Sequence, residues 1–173
     1  KVYVIEKLPS LLPLAMDREF GEMAKEILTS LGAEVLTGIT VKEITGAESV
    51  EGVLLDNDKK IAGDAIVIAA GYRPNLELAK DLELKIEERY GIVVDEYLRT
   101  SREEIFAVGD CAVKRCCFTG EYSKIMLAST AMAQGRLAGS NLFEIKVIKG
   151  FPGTLGTFST KIGNTAFGVS GLT

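Results

Sequence analysis

Residues 2–37 constrain the fold more than any other part of the chain. VYVIE (residues 2–6) reads as a strand, and KLPSLLPL (residues 7–14) as a loop punctuated by Pro9 and Pro13. Asp17 stands where a helix N-cap belongs, with Glu19 in the first turn, where a negative charge suits the helix dipole. Phe20, Met23, Ala24, Ile27, Leu28 and Leu31 recur at helical spacing, and Gly32 sits where a helix favours a C-terminal glycine. AEVLT (residues 33–37) is a second strand. Strand, helix and strand in direct succession predict a parallel crossover, and so an α/β fold.

The pattern then changes. VKEITG, VEGVLLD and KKIAG alternate or carry turn signals such as Asn57-Asp58, which predicts a small antiparallel meander. DAIVIAAG (residues 64–71) reads as a continuous buried strand closed by Gly71. Arg73 precedes a proline and so avoids helical angles, and a short helix is expected over residues 76–81. Residues 90–110 read as short strands and turns ending in IFAVGD, where four apolar residues suggest a short buried strand before Gly109 and Asp110. FTGEYSK is a turn region, and a long helix rich in small residues is expected from about residue 126 to 143. After a Gly- and Pro-rich stretch, TFSTKIG and AFGVSGL resume strand patterning, expected in a separate domain.

Composition narrows the chemistry. The chain has 173 residues, 47% of them apolar, and a net charge of −4 with acids and bases interspersed, which is globular composition. No basic block suggests nucleic acid, and no apolar run approaches membrane-spanning length. The chain contains no histidine, so its own residues supply no histidine base, triad or metal ligand. Cys111, Cys116 and Cys117 form no secreted disulfide framework, and a reducing, cytoplasmic compartment is expected. A chain whose first residue opens a strand, with no initiating methionine, reads as a piece of something longer.

Four features stand in a meaningful order. Glu6 ends a strand of the crossover, where dinucleotide-binding folds place an acid on the adenosine ribose; on position alone it is equally an ordinary charged strand end. The second is IAAGYRPN, and the third is IFAVGDC, whose glycine lets a backbone approach and whose acid can accept from ligand hydroxyls, although Gly-Asp is also common turn chemistry. The fourth is KIMLASTAMAQGRLAGSNL, which by itself reads equally as an Ala-rich core helix.

Taken together, VIEKLPSLLP, VIAAGYRPN, TSREEIFAVGDCA, LASTAMAQGR and GTLGTFSTKIGNTAFGVSGLT resemble, in order, the pyridine nucleotide–disulfide oxidoreductase family, and most closely its branch of NADH oxidases, NADH peroxidases and coenzyme A–disulfide reductases. The resemblance implies partial Rossmann-type dinucleotide-binding layers: residues 1–72 as the back half of an NADH-binding domain and residues 73–146 as the returning segment of an FAD-binding domain. Residues 147–173 would start an α+β interface domain, with a homodimer expected. It implies FAD and NAD(H) as cofactors, and hydride passing from NADH to flavin and electrons on to oxygen, peroxide or a disulfide, coenzyme A disulfide among them. Glu6 would recognise the adenosine ribose of NADH, Gly71 would lie near the nicotinamide, and Asp110 after Gly109 would bind the ribityl chain of FAD. Leu127, Ala128 and Ser129 would present a helix amino end to the flavin pyrimidine ring, where the positive end of the dipole suits negative charge on a reduced flavin.

The family's two Gly-x-Gly-x-x-Gly turns are not in this sequence, and GFPGTLG (residues 150–156) has the wrong spacing. The redox cysteine of the branch would lie upstream of Lys1, so no residue of this chain is expected to be catalytic. Cys116 and Cys117 follow Lys114 and Arg115, whose charge could promote a thiolate. All three cysteines nonetheless read as non-catalytic, and their spacing suits no metal. The alternative from another class is an inactive segment that only self-associates through open strand edges.

Overall fold

The computed structural model describes residues 1–144, 146 and 150–171. It divides into two compact units, Lys1–Ala70 with Thr157–Thr173, and Gly71–Gly156. The start of the expected third segment at residue 147, and Leu172 in its last strand, lie outside the described residues.

The first unit begins with β1 (Tyr3–Glu6), α1 (Arg18–Ser30) and β2 (Glu34–Thr37). β1 and β2 pair in parallel, Tyr3 opposite Glu34 through Glu6 opposite Thr37, so the crossover forms as expected. Successive strand residues point to opposite faces, and both faces of this sheet are used. Val4 and Val35 pack with Ala24, Ile27 and Leu28 of α1, whereas Tyr3, Ile5 and Leu36 pack against the next three strands. These are β3 (Val41–Thr45), β4 (Gly52–Leu55) and β5 (Lys60–Ala62), an antiparallel meander around buried Val53, Leu55 and Ile61.

α1 departs from its sequence reading at its amino cap and in the residues it buries. Asp17 is the N-cap residue, but its side chain makes no cap bond. Leu31 caps the far end and Gly32 follows with φ +91°, the left-handed angle expected of a terminal glycine. Gly21 and Ala24 are the buried residues of the helix, while Phe20, Met23 and Leu31 are exposed.

The expected strand over residues 64–71 does not form. Ile66 packs against the meander, but Val67 and Ile68 are 92% and 74% exposed. A buried strand needs a ladder neighbour to take its backbone groups, and among the described residues β1 and β2 form a two-stranded sheet that this segment does not join.

The second unit opens with α2 (Glu77–Asp81), close to the expected short helix. β6 (Ile86–Glu87) and β7 (Gly91–Ile92) form a small hairpin, and β8 (Lys114–Arg115) and β9 (Tyr122–Ser123) form another across the FTGEYSK turn region. α3 (Ala128–Ser140) completes the unit. Its core joins Leu76, Ala79, Leu84, Ile92, Ala107 and Ala112. Residues 105–108 are not a strand: a single antiparallel bridge pairs Phe106 with Arg99, flanked by Thr100 N–H to Ile105 O and Ala107 N–H to Leu98 O. The positive φ at Gly109 turns the chain into a 3-10 turn, Gly109–Cys111, before a ladder can extend.

Beyond this unit, β10 (Thr157–Ile162) and β11 (Thr165–Ser170) form a six-pair antiparallel hairpin. By its contacts the hairpin belongs to the first unit, where Phe167 and Ile162 join Leu11 and Ala24.

Candidate functional site

The second unit brings five of the seven residues singled out above into one neighbourhood. Gly109 adopts φ +75°, and its N–H donates to Gln134 Oε1 of α3 at 2.8 Å. A Cβ added at Gly109 would lie 3.3 Å from the Ala131 methyl, so the turn rests directly on the helix. Ala112 N–H closes the turn by donating to Gly109 O at 3.2 Å. Asp110, at the middle of the turn, is exposed, and among the described residues its carboxylate makes no hydrogen bond or ion pair.

Leu127 is the N-cap residue of α3, and no side chain caps the helix. The first intrahelical bond is Ala131 N–H to Leu127 O, so the amides of the first turn have no partner within the helix. Leucine offers no oxygen to them. Ala128 and Ser129 are exposed and no acid lies in this turn. Among the described residues the amino end of α3 therefore keeps its positive field and unpartnered amide donors. Thr130 Oγ1 lies 3.0 Å from Thr154 Oγ1, a buried contact that ties this turn to the loop of residues 150–156.

Two buried polar residues were missed in the sequence. Lys114 is only 2% exposed, and its Nζ donates to Gly109 O and Ala112 O, each at 2.9 Å. Burial pulls its pKa below the ordinary lysine value, partly opposed by the negative charge of Asp110 and the thiol of Cys111. Gln134 is fully buried, and among the described residues its Nε2 has no hydrogen-bond partner. Gln134 was visible in principle: Thr130, Gln134 and Ala138 recur every four residues as the buried line of α3. Lys114 carried no such signal, since a two-residue strand has no period to read.

Of the other two predicted residues, Glu6 belongs to the first unit and Gly71 opens the second. Glu6 ends β1, and its Oε1 accepts from Leu8 N–H at 2.7 Å. Gly71 is exposed with φ +90°, and an added Cβ there would meet nothing within 4 Å.

The cysteines divide. Cys111 donates its thiol hydrogen to Val108 O at 3.4 Å. The Cys116 thiol is drawn down in pKa by the backbone N–H groups of Thr119 and Phe118 and the Thr119 hydroxyl. The adjacent bases, whose charge could promote a thiolate, are not among these causes: Arg115 donates to Gly120 O at 3.0 Å and lies over the Tyr122 ring. Among the described residues no three metal-ligating side chains converge, and no helix is long and apolar enough to cross a membrane.

The chain is similar to several known proteins. It is 36% identical over 172 residues to an NADH oxidase of Methanocaldococcus jannaschii, covering 99% of this chain and 38% of that protein. Among solved structures, an NAD-dependent persulfide reductase from A. fulgidus superposes with a TM-score of 0.91 at 34% identity, covering 99% of this chain and 31% of that one. An FAD-dependent pyridine nucleotide-disulphide oxidoreductase from Desulfovibrio vulgaris gives 0.88 at 32% identity, covering 98% and 42%. The chain thus spans less than half the length of each, as a partial Rossmann-type α/β fold. The family model for pyridine nucleotide-disulphide oxidoreductase matches residues 1–135, and the chain belongs to that family.

Proposed function

We propose that this chain is the flavin- and NADH-binding part of an FAD-dependent oxidoreductase that passes hydride from NADH to flavin and electrons on to oxygen, peroxide or a disulfide, coenzyme A disulfide included. One observation carries the reading: an unpartnered Asp110 carboxylate stands on a turn packed against α3, whose amino end is uncapped. That pairing suits a ligand with hydroxyls at one end and developing negative charge at the other. The relatives' names, an NADH oxidase and a persulfide reductase, support NADH as donor and leave several acceptors in play.

In this reading Asp110 accepts hydrogen bonds from the ribityl hydroxyls, and Gly109 keeps the backbone close. The amides at Leu127, Ala128 and Ser129 face the pyrimidine ring and stabilise negative charge there. FAD, when bound, would supply the ring that accepts hydride. Glu6 holds the adenosine ribose of NADH and its charge disfavours a 2′-phosphate, while Gly71 lies on the nicotinamide side. Residues 1–72 serve the NADH domain, residues 73–146 the FAD domain and residues 147–173 an interface domain of a cytoplasmic homodimer. Cys111, Cys116 and Cys117 take no part in electron transfer, and the 173-residue chain by itself does not turn over NADH.

The test is a titration of the purified chain with FAD, followed by flavin fluorescence, beside Asp110→Ala. The expected outcome is saturable binding that weakens about tenfold or more in the variant, the worth of hydrogen bonds to a charged group. Equal binding by both proteins would overturn the role of Asp110, and no binding by either would overturn flavin binding by this chain alone.

Self-association is the second reading, favoured by the exposed Val67 and Ile68 on a segment that joins no sheet among the described residues. Light scattering of the chain across a concentration series, with Val67→Lys as control, decides it: a monomer at every concentration removes this reading.

A further inference from the structure

We propose that Lys114 and Gln134 are positioning residues for the Asp110 carboxylate, holding the Gly109–Cys111 turn in the conformation that presents it to the hydroxyl chain of a flavin. The proposal rests on the flavin reading above and adds two residues to it.

Every backbone polar group of Gly109 is engaged. Its N–H goes to Gln134 Oε1, and its carbonyl accepts from both Lys114 Nζ and Ala112 N–H. Lys114 reaches the other end of the same turn through Ala112 O. One ammonium therefore bonds both ends of the turn from beneath, and one amide fixes its first residue from α3. The next residue, Asp110, is exposed and unpartnered. A clamped turn carrying a free carboxylate is the arrangement expected where a polar group must be held in place for a ligand.

Core packing does not account for either side chain. Lysine is rarely buried without an acid beside it, and among the described residues Lys114 forms no ion pair; Asp110 and Cys111 act on its charge without bonding to it. Gln134 is equally ill suited to a purely structural role. Because its oxygen must face the Gly109 N–H, the orientation of the amide is fixed, and among the described residues its Nε2 is left without an acceptor in a fully buried position. A methionine would fill that space with no orphaned donor, but would lose the grip on Gly109.

Two flavins separate positioning from general support. Riboflavin carries the ring and the hydroxyl chain, whereas lumiflavin carries the ring alone. Both are titrated by fluorescence against the 173-residue chain and against Asp110→Ala, Lys114→Met, Gln134→Met and Gln134→Glu. Lys114→Met and Gln134→Met are expected to weaken riboflavin about tenfold while leaving lumiflavin within about twofold. Gln134→Glu, which keeps an acceptor for Gly109 N–H, is expected to hold riboflavin near the unsubstituted value. The Gln134 pair carries the same test should Lys114→Met not fold. Riboflavin binding unchanged in both methionine variants but lost in Asp110→Ala would overturn the proposal and leave the flavin reading standing. Equal loss of riboflavin and lumiflavin would also overturn it, since both residues would then be structural. No riboflavin binding by the unsubstituted chain would overturn the flavin reading, and the proposal with it.

Discussion

Replacing Gly109 by alanine tests the turn on which the candidate site depends. The residue sits at φ +75°, where a side chain meets the following carbonyl at a cost of roughly 1–2 kcal/mol. The new methyl would also lie 3.3 Å from that of Ala131, a contact relieved only by moving turn and helix apart by a few tenths of an ångström. That movement lengthens the 2.8 Å bond from Gly109 N–H to Gln134, whose net worth is about 1 kcal/mol. The expected loss of stability is therefore about 2 kcal/mol. The chain has no tryptophan, so far-UV circular dichroism in urea is the suitable assay. With a slope of about 2 kcal/mol/M, the midpoint should fall by about 1 M. Adding Ala131→Gly removes the methyl contact but not the backbone strain, and should recover less than half of the loss after its own helix cost of about 1 kcal/mol is subtracted. A midpoint for Gly109→Ala within about 0.2 M of the unsubstituted chain would refute the reasoning, because the left-handed angle would then not be required.

Three further outcomes are expected. Ser129→Asp should stabilise α3 by about 0.3–1 kcal/mol through the helix dipole while weakening FAD, so a midpoint that rises with unchanged affinity would show that this helix end does not face the flavin. Leu55→Ala, at a fully buried position in the meander core, should cost roughly 2–5 kcal/mol in urea unfolding, and a loss below about 1 kcal/mol would contradict its burial. Because burial lowers the pKa of Lys114 below 10.5, the folded chain binds fewer protons than the unfolded chain between its two values, and stability from this group rises with pH across that window. The stability difference between the unsubstituted chain and Lys114→Met should therefore grow in favour of the former as pH rises towards 10.5, and parallel urea midpoints across that range would refute the assignment.

The sequence by itself determined the elements whose signals are local. The parallel crossover from β1 through α1 to β2, the antiparallel meander, α2 and α3 are all legible because apolar periodicity, turn residues and Gly32 act within a few residues of one another. The Gly109–Asp110 pair was equally visible, since glycine and a following acid announce a turn without reference to the rest of the chain. Residues 64–71 and 105–108 show where that reasoning stops. Both are apolar runs, but a strand exists only when a second backbone takes its hydrogen bonds, and neither run finds more than a single bridge among the described residues. The tertiary structure alone decided that Phe167 of β11 joins α1, because a hairpin's pattern names the face to be buried and not the surface that buries it. It also decided that Lys114, whose charge reads as surface in any sequence, lies beneath the turn: two carbonyls converge there from residues 109 and 112, and only the folded chain supplies that environment for an ammonium.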